Sequence, residues 1–452
     1  MASDIPPTLS PLDSARRKAF FRLMPLLFLS YLIAYIDRHN VGMAKIKMMN
    51  DLSWLDNAVF GFGTGLFFWG YFALEIPGTL MVEKRSARMW FCRIMVSWGI
   101  VAALTAFIAA PSHYYAARLL LGLAEAGFFP GVIVYLTHWF PLRDRAKALS
   151  LFLIATPAAQ VINTLVSGML LDIGSTTIVN GVSIVHPEFL GLKGWQVVFI
   201  LWGLPAVFLG IIVALFLTDK PHQAKWLTPQ EREALQSELD REKVQRKAGK
   251  RMGLLEALKH PKVLLLALAY FCVVTCSYGM EFFSPSIFED WYKMNVKPMM
   301  IFIILPPSVA LIAQLACGWN SDRTGERRFH AVVPLVIGAC AIFALPFTKG
   351  NLWLTATCMM VGFAGFKAYM PAFWSLPHLF LVETAAAGCI GLINSVGNLG
   401  GSMGSTVMGY SKQYTGSYDV GLWYLSGSML CSALILFFMG IGKREKLSLA
   451  TS

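Results

Sequence analysis

Charged side chains are scarce in this sequence. Only 14% of its 452 residues are Asp, Glu, Lys or Arg, and 56% are hydrophobic, whereas a soluble globular domain usually has about 25% charged residues. That shortage excludes soluble, disordered and fibrous classes. The apolar residues form continuous runs rather than the alternating pattern of a transmembrane β-barrel, so the composition predicts a polytopic protein of the lipid bilayer.

Residue groups typical of enzymes, metal sites and disulfide frameworks are missing too. The eight cysteines form no C-x-x-C pair, the histidines show no H-E-x-x-H spacing, and the glycines of 397–404 lack the lysine of a P-loop. We therefore predict that the protein is not an enzyme and holds no metal or cofactor. Its net charge of +12 is explained by membrane topology and not by nucleic acid.

Apolar runs long enough to cross a bilayer occur twelve times. A transmembrane helix needs about 20 apolar residues, so we predict an all-α fold with twelve transmembrane helices in two six-helix halves. The predicted spans are 20–42, 58–82, 89–110, 114–137, 148–172, 195–217, 262–286, 299–319, 331–348, 351–374, 386–410 and 420–441.

The distribution of basic residues predicts the orientation of the chain. With a cytosolic N-terminus, most of the 38 lysines and arginines fall on cytosolic segments, and few, Lys45 and Lys47 among them, fall outside. This bias predicts a protein of the inner membrane with both termini in the cytosol.

A long polar stretch separates the two halves. In it, Thr228-Pro-Gln-Glu231 has capping-box spacing and precedes an apolar stripe, which predicts a short amphipathic helix. The predicted divisions are a cytosolic tail 1–19, an N-terminal half 20–217, a cytosolic linker 218–261, a C-terminal half 262–442 and a cytosolic tail 443–452.

An internal repeat relates the two halves. The loop after span two contains Glu83 and Arg88, and the loop after span eight has the same acid, base, turn and base layout with Asp322, Arg323 and Arg327. Two halves built on a common plan are typical of secondary transporters, in which the halves rock about a site at the membrane midplane.

Three motifs carry a resemblance to a known family. They are Arg118-x-x-x-Gly122-x-x-Glu125-Ala-Gly-Phe-Phe-Pro-Gly131, Tyr35-Ile-Asp37-Arg38-x-Asn40 and Asn394-Ser-Val-Gly397-Asn398-x-Gly-Gly401. In these segments the chain resembles the anion:cation symporter family of the major facilitator superfamily, and in particular bacterial proton-coupled tartrate, phthalate and sugar-acid permeases. The resemblance implies the major facilitator fold and a carrier of small organic carboxylates.

Four ionisable residues in the predicted spans are candidates for the chemistry, because a charge inside a membrane is costly and usually has a partner or a function. Asp37 and Glu125 are predicted to carry protons, since burial favours a protonated carboxyl group and a nearby arginine favours the carboxylate. The resemblance implies that Arg118 is the mobile partner and that Arg38 binds the substrate carboxylate, for which its paired donors are suited. The alternative is a static charge network that joins spans one and four.

Lys367 in span ten has two interpretations. As a second cation in the cavity it would favour a substrate with two carboxylates. Otherwise it extends to the interface or pairs with an acid such as Glu383.

Further polar and aromatic residues are predicted to line the substrate cavity. The resemblance places Tyr35, Tyr71 and Asn394 in register with substrate contacts of sugar-acid symporters. The alternative for each is an interhelical hydrogen bond, which is the commoner role of polar groups in membranes. The remaining members of the predicted set are Gln160, Tyr278, Trp374, Ser375 and Asn398.

Residues near the cytosolic ends are predicted to control conformation. Glu75 is a candidate gate partner for Arg143 or Arg145, or satisfies a local donor. The resemblance implies that the acids of the two repeated loops, Glu83 and Asp322, bind the N-terminus of a neighbouring helix and latch the outward-facing state.

Together these observations predict a proton-coupled symporter that imports a dicarboxylate, an aromatic acid or a sugar acid by alternating access. The alternative is an exporter or exchanger of organic acids on the same fold. The expected partners are a small organic anion and the bilayer, without nucleic acid, and we expect a monomer.

Overall fold

A computed structural model of the chain describes residues 10–179, 182–247, 259–379 and 383–442; the predicted C-terminal tail lies outside this description. Two strands, β1 (Thr176–Val179) and β2 (Val182–Val185), form an antiparallel hairpin between spans five and six. The helices are α1 (Pro11–Asp51), α2 (Asn57–Lys84), α3 (Ala87–Leu104), α4 (Pro111–Glu125), α5 (Phe128–Trp139), α6 (Leu142–Leu153), α7 (Ala155–Leu170), α8 (Gly194–Phe216), α9 (Pro229–Lys247), α10 (Pro261–Tyr292), α11 (Val296–Thr324), α12 (Arg328–Ala344), α13 (Leu352–Ala368), α14 (Met370–Ser375), α15 (Glu383–Thr415) and α16 (Asp419–Met439).

The architecture confirms the predicted all-α membrane fold. Nine helical segments of the described residues are long and apolar enough to cross a membrane, and the predicted spans two, ten and eleven are helical as well. Three spans consist of two helices each: α4 and α5, α6 and α7, and α13 and α14. The spans alternate between a linker face, where α1 begins and α8 ends, and a far face, where α1 ends and the hairpin lies.

Span one is longer at both ends than the sequence predicts. Ser10 accepts a hydrogen bond from the Asp13 backbone N–H and caps a helix that continues to Asp51, so residues 11–18 of the predicted cytosolic tail are helical. Lys45, which the sequence predicts to lie on the outer side, is part of this helix near its far-face end. Its side chain is buried among three rings, with Nζ 4.1 Å from the centroid of Phe283 and 4.9 Å from that of Phe60. Cation–π attraction offsets part of the cost of burying this charge.

The two halves meet closely through glycines near the far face. A Cβ on Gly61 of α2 would lie 2.5 Å from the backbone oxygen of Ser405 in α15. A Cβ on Gly65 would lie 2.9 Å from the Ser402 Oγ. Nearby, the Lys297 Nζ and the Asp172 carboxylate form an ion pair of 3.2 Å between the halves. Small residues let the helix backbones approach, so these contacts close the far face.

Two glycine variants, Gly122→Val and Gly61→Val, distinguish the effect of packing within one half from the effect of contact between the halves. A Cβ on Gly122 would lie 2.0 Å from the Phe67 backbone oxygen, inside the N-terminal half. We expect Gly122→Val to destabilise the fold by about 1–3 kcal/mol or more through overpacking, seen as a lower thermal midpoint of the purified protein. Gly61→Val should instead hold the halves apart, so that a cysteine introduced at Ser405 reacts faster with a membrane-impermeant maleimide. Equal thermal midpoints for Gly122→Val and the parent protein, or an unreactive cysteine in Gly61→Val, would contradict this assignment.

The linker helix is docked on the N-terminal half. Both capping-box hydrogen bonds are present: the Thr228 backbone N–H donates to Glu231 (2.9 Å), and the Glu231 N–H donates to the Thr228 hydroxyl (3.3 Å). Lys18 and Ser14 of α1 also donate to the Glu231 carboxylate, at 2.7 and 2.6 Å. Burial raises the pKa of Glu231, but the hydrogen bonds from Lys18, Ser14 and Thr228 outweigh that effect and lower the pKa to about 2.

Loss of the Glu231 charge should loosen the linker helix. In Glu231→Gln we expect amide hydrogen exchange across α9 to be about tenfold faster at neutral pH, because hydrogen bonds to a charged group are lost. A carboxylate with a lowered pKa stabilises the folded state above its ordinary pKa of 4.5 and loses that effect as the pH falls towards about 2. The difference between variant and parent should therefore shrink over that interval. The exposed Glu233 of the same helix provides the control Glu233→Gln, which should leave exchange unchanged.

Candidate functional site

Two broken helices mark the centre of the molecule. Span four breaks after Glu125, the last residue of α4, and Gly127 adopts a left-handed φ of +82° before α5 begins. A Cβ on Gly127 would lie 2.7 Å from the Gly78 Cα of α2, so both its conformation and its packing require glycine. Span ten, the fourth span of the other half, breaks at Tyr369, two residues after Lys367. Interrupted helices at corresponding positions of two halves are typical of a transporter's binding site.

Arg38 lies at the centre of the first charged cluster. Its guanidinium forms a buried ion pair with Glu125, and its Nη1 donates to the Tyr278 hydroxyl of the other half at 3.1 Å. The guanidinium carbon lies 5.1 Å from the centroid of the Tyr71 ring and 5.2 Å from that of Phe67. One arginine therefore contacts a carboxylate, a phenol and two aromatic faces.

Asp37 points in a different direction from its neighbour Arg38. Its Oδ2 accepts a hydrogen bond of 3.1 Å from the Trp98 indole of α3, and its Oδ1 accepts one of 3.4 Å from Asn40. Consecutive helical residues are about 100° apart, which explains why Asp37 faces the neighbouring helix while Arg38 faces the centre.

Arg118 is buried with free donors. Its side chain is almost inaccessible, and within the described part of the chain its Nε and Nη2 have no hydrogen-bond partner. Its guanidinium carbon lies 5.3 Å from the centroid of Phe67, the ring on which Arg38 also packs. Buried N–H groups of a charged side chain are rarely left unsatisfied, so Arg118 is placed to take an acceptor.

A second charged cluster, which the sequence analysis missed, joins span one to the C-terminal half. Glu281 of α10 accepts from the Lys367 Nζ at 2.8 Å and lies 2.7 Å from the His39 Nε2. The Ser277 hydroxyl also donates to it at 3.1 Å. The predicted partner of Lys367, Glu383, has a side chain outside the described set, and Glu281 takes that role. An acid in the predicted span seven is a signal that the cost of intramembrane charge would have identified.

Glu75 makes a different contact from the predicted one. The Asn394 amide donates to its Oε1 at 2.6 Å and links α2 to α15 across the halves, while its Oε2 has no hydrogen-bond partner among the described residues. Arg145 instead donates to the Phe140 backbone oxygen and to Glu242, and the Arg143 side chain is not described. Among the described contacts, the partner of Glu75 is therefore Asn394 of the other half and not the predicted gate arginine.

The other predicted cavity residues occupy varied positions. Tyr35 stacks on His39 with ring centroids 4.3 Å apart, so it adjoins the second cluster. Trp374 packs edge-on against Tyr270 at 5.0 Å, and Ser375 donates to the Ala372 backbone oxygen of its own helix. Gln160 is half-buried on α7, and Asn398 is buried on α15.

In the repeated loops the structure describes the side chain of one of the two predicted latch acids, Asp322. Asp322 is largely exposed and pairs with Arg327 of its own loop at 2.5 Å, while Arg323 lies over the Trp319 ring at 5.4 Å. In the first loop Arg88 contacts Asp219, to which its backbone N–H donates at 2.8 Å; the Glu83 side chain lies outside the described set. Asp322 therefore pairs within its own loop, and the latch of the outward-facing state stays a prediction, because the halves meet at the far face in this structure.

Comparison with known proteins decides the family. The family model described as Major Facilitator Superfamily matches residues 27–405. The chain belongs to this superfamily. An Agrobacterium vitis protein whose name proposes tartrate transport is 38% identical over 427 residues, which cover 94% of this chain and 90% of that protein. The quinolone resistance transporter of Acinetobacter baumannii is 37% identical over 430 residues, 95% of each chain.

The fold of this superfamily member also matches a solved structure. The inward-open xylose transporter XylE from Escherichia coli aligns with a TM-score of 0.73 at 12% identity and covers 94% of this chain and 98% of that one. Superfamily membership makes the protein a multi-pass membrane transporter and not an enzyme. Among the described residues, no group of three or more metal-ligating side chains is placed to hold a metal ion.

Proposed function

We propose that the protein is a proton-coupled symporter that imports a small organic carboxylate by alternating access. The observation that carries this proposal is the buried Arg38, which binds the Glu125 carboxylate while Arg118 keeps unsatisfied donors nearby. A substrate carboxylate suits the same paired donors of arginine. Glu125 and substrate therefore compete for one cation.

That competition couples the anion to a proton. When Glu125 is protonated, its attraction to Arg38 weakens and Arg38 is free to bind a substrate carboxylate; when the substrate leaves, Glu125 returns to Arg38 and releases its proton. Each event favours the other, as linkage requires. Asp37 accepts a second proton in the same interior, and Arg118 approaches the ionised carboxylates when span four moves.

Several observations support the proposed substrate class and orientation. The name of the Agrobacterium vitis relative supports a hydroxylated dicarboxylate, and the aromatic rings around Arg38 suit either a hydroxylated chain or an aromatic acid. The basic residues of the linker face support a cytosolic location of both termini in the inner membrane. The protein acts as a monomer, with protons as its coupling ion and without a cofactor.

Export is a second candidate function, because the Acinetobacter baumannii relative is named for drug resistance. In that case the same charged cluster would exchange protons for an outgoing organic acid or drug.

Reconstitution into liposomes distinguishes the two candidates. We expect an imposed gradient, acidic outside, to drive accumulation of at least one member of a panel of tartrate, phthalate, a sugar acid and a monocarboxylate. Protein-free vesicles and vesicles with a proton ionophore are the controls. Accumulation of a quinolone with no carboxylate uptake would support the export candidate, and the absence of any gradient-driven carboxylate uptake would refute the symporter.

A further inference from the structure

The second charged cluster has no role in the competition between Glu125 and substrate. It consists of His39 from α1, Glu281 from α10 and Lys367 from α13. Only 2% of the Glu281 side chain is exposed, and its two oxygens are bound separately, one by His39 and the other by Lys367 and Ser277. These donors hold Glu281 as they would hold the carboxylate of a bound ligand.

The helix break of span ten provides a second observation at the same place. Lys367 lies in the last turn of α13, immediately before the break at Tyr369. The C-terminal end of a helix carries partial negative charge and attracts a cation, which positions the ammonium at the centre. Lys367 in one half thus corresponds to the charged break residue Glu125 in the other.

The two clusters are adjacent parts of one site. Arg38 and His39 are consecutive in α1, and Tyr278 contacts both: its hydroxyl binds Arg38, and its ring centroid lies 5.8 Å from that of His39. Glu281 is one helical turn beyond Tyr278 on the same helix. A ligand that replaces Glu125 on Arg38 therefore has Lys367 and His39 of the second cluster beside it.

We propose that the substrate is a dicarboxylate and that Glu281 occupies the position of its second carboxylate when the substrate is absent. This inference rests on the proposed symport and names its substrate class. One substrate carboxylate binds Arg38, and the other replaces Glu281 on Lys367 and His39. Because these groups come from both halves, the bound dicarboxylate joins the halves across the site.

Displacement of Glu281 requires a proton. If Glu281 left Lys367 and His39 as a carboxylate, it would be an unpaired charge in a membrane interior, which is costly, so Glu281 takes one proton from water on the open side, forming an O–H bond. It returns that proton when the substrate leaves. The other titratable groups close to Glu281 are Tyr35 of α1 and Tyr278 and Cys276 of its own helix.

Calorimetric binding of tartrate and of its monoamide to the purified full-length protein tests the inference. We expect the parent to bind tartrate about tenfold or more tighter than the monoamide, since one charged hydrogen-bonding group is lost. Lys367→Gln should reduce that ratio to within about twofold, and Lys367→Arg should restore it, because the ratio depends on the second cation.

Proton counting tests the role of Glu281 separately. Titrations in buffers of different ionisation enthalpy give the protons taken up per ligand, and Glu281→Gln should take up about one fewer with tartrate than the parent. Asp290→Asn removes an ion-paired carboxylate from the same helix, which binds Lys412 at 2.7 Å outside the cluster, and it should match the parent.

Three results would overturn the inference: equal binding of tartrate and its monoamide, an unchanged ratio in Lys367→Gln, or an unchanged proton count in Glu281→Gln. Each of these results would still be compatible with gradient-driven uptake of a monocarboxylate, and so with the proposed symport. Failure of the symport itself would appear in liposomes as no gradient-driven uptake of any carboxylate. The two failures are therefore distinguishable, and thermal midpoints of the variants verify that each is folded.

Discussion

Glu125→Gln and Asp37→Asn should each abolish accumulation of the substrate against its gradient while leaving exchange of labelled for unlabelled substrate active. Both replacements keep the shape of the side chain but carry no titratable proton. Asn at position 37 retains an acceptor for the Trp98 indole, and Gln at position 125 no longer holds Arg38 as an ion pair. We therefore expect Glu125→Gln to bind the anion at least as tightly as the parent and with little dependence on pH.

The measurement is the ratio of internal to external substrate in liposomes under an imposed pH gradient, compared with counterflow in the same vesicles. Asp172→Asn is the matched control, because Asp172 forms an ion pair with Lys297 near the far face, away from the centre; it should accumulate substrate as the parent does. Unchanged accumulation in both Asp37→Asn and Glu125→Gln would contradict the proton-carrying role and indicate that the two residues belong to a static charge network.

Arg38→Lys should weaken binding of the anion by about a hundredfold, since hydrogen bonds to charged groups contribute about 1.5–3 kcal/mol and 1.4 kcal/mol is a factor of ten. Lysine keeps the charge and so continues to neutralise the buried Glu125, which avoids the larger cost of an unpaired carboxylate. It lacks the planar pair of donors that binds one carboxylate while contacting Tyr278.

Direct binding by calorimetry and the thermal midpoint together check this expectation. Arg118→Lys provides the comparison, because Arg118 makes no ion pair with Glu125 among the described contacts, and the proposed function gives it a role in proton release rather than in binding. It should retain most of the affinity of the parent while its transport rate falls. Equal losses of affinity in the two variants would remove the special role of Arg38.

The fold and the different directions of Asp37 and Arg38 follow largely from the sequence because they depend on local patterns, whereas the pairing of Arg38 with Glu125 does not. Apolar runs predict the spans, the neighbouring positions of Asp37 and Arg38 predict that they face different ways, and the glycine-rich motif after Glu125 coincides with a helix break. Helical geometry connects each of these to a position in space without knowledge of distant contacts.

Contacts between the halves could not be predicted in this way. Glu75 with Asn394 and His39 with Glu281 join residues more than 200 positions apart in the chain, and no local period relates them. The burial of Lys45 is not predictable either, because a basic residue near a span end usually reaches water, whereas here aromatic rings from both halves surround it. The identity of a partner depends on how the halves are closed, which no single span encodes.

The number of protons bound with the anion tests the central claim most directly. When substrate is added to concentrated, weakly buffered protein, we predict that the pH of the solution rises as carboxylates take up protons, and that the double variant Asp37→Asn, Glu125→Gln loses the part of the rise that Asp37 and Glu125 contribute. Binding of the anion to the parent protein without any change in pH would contradict the account.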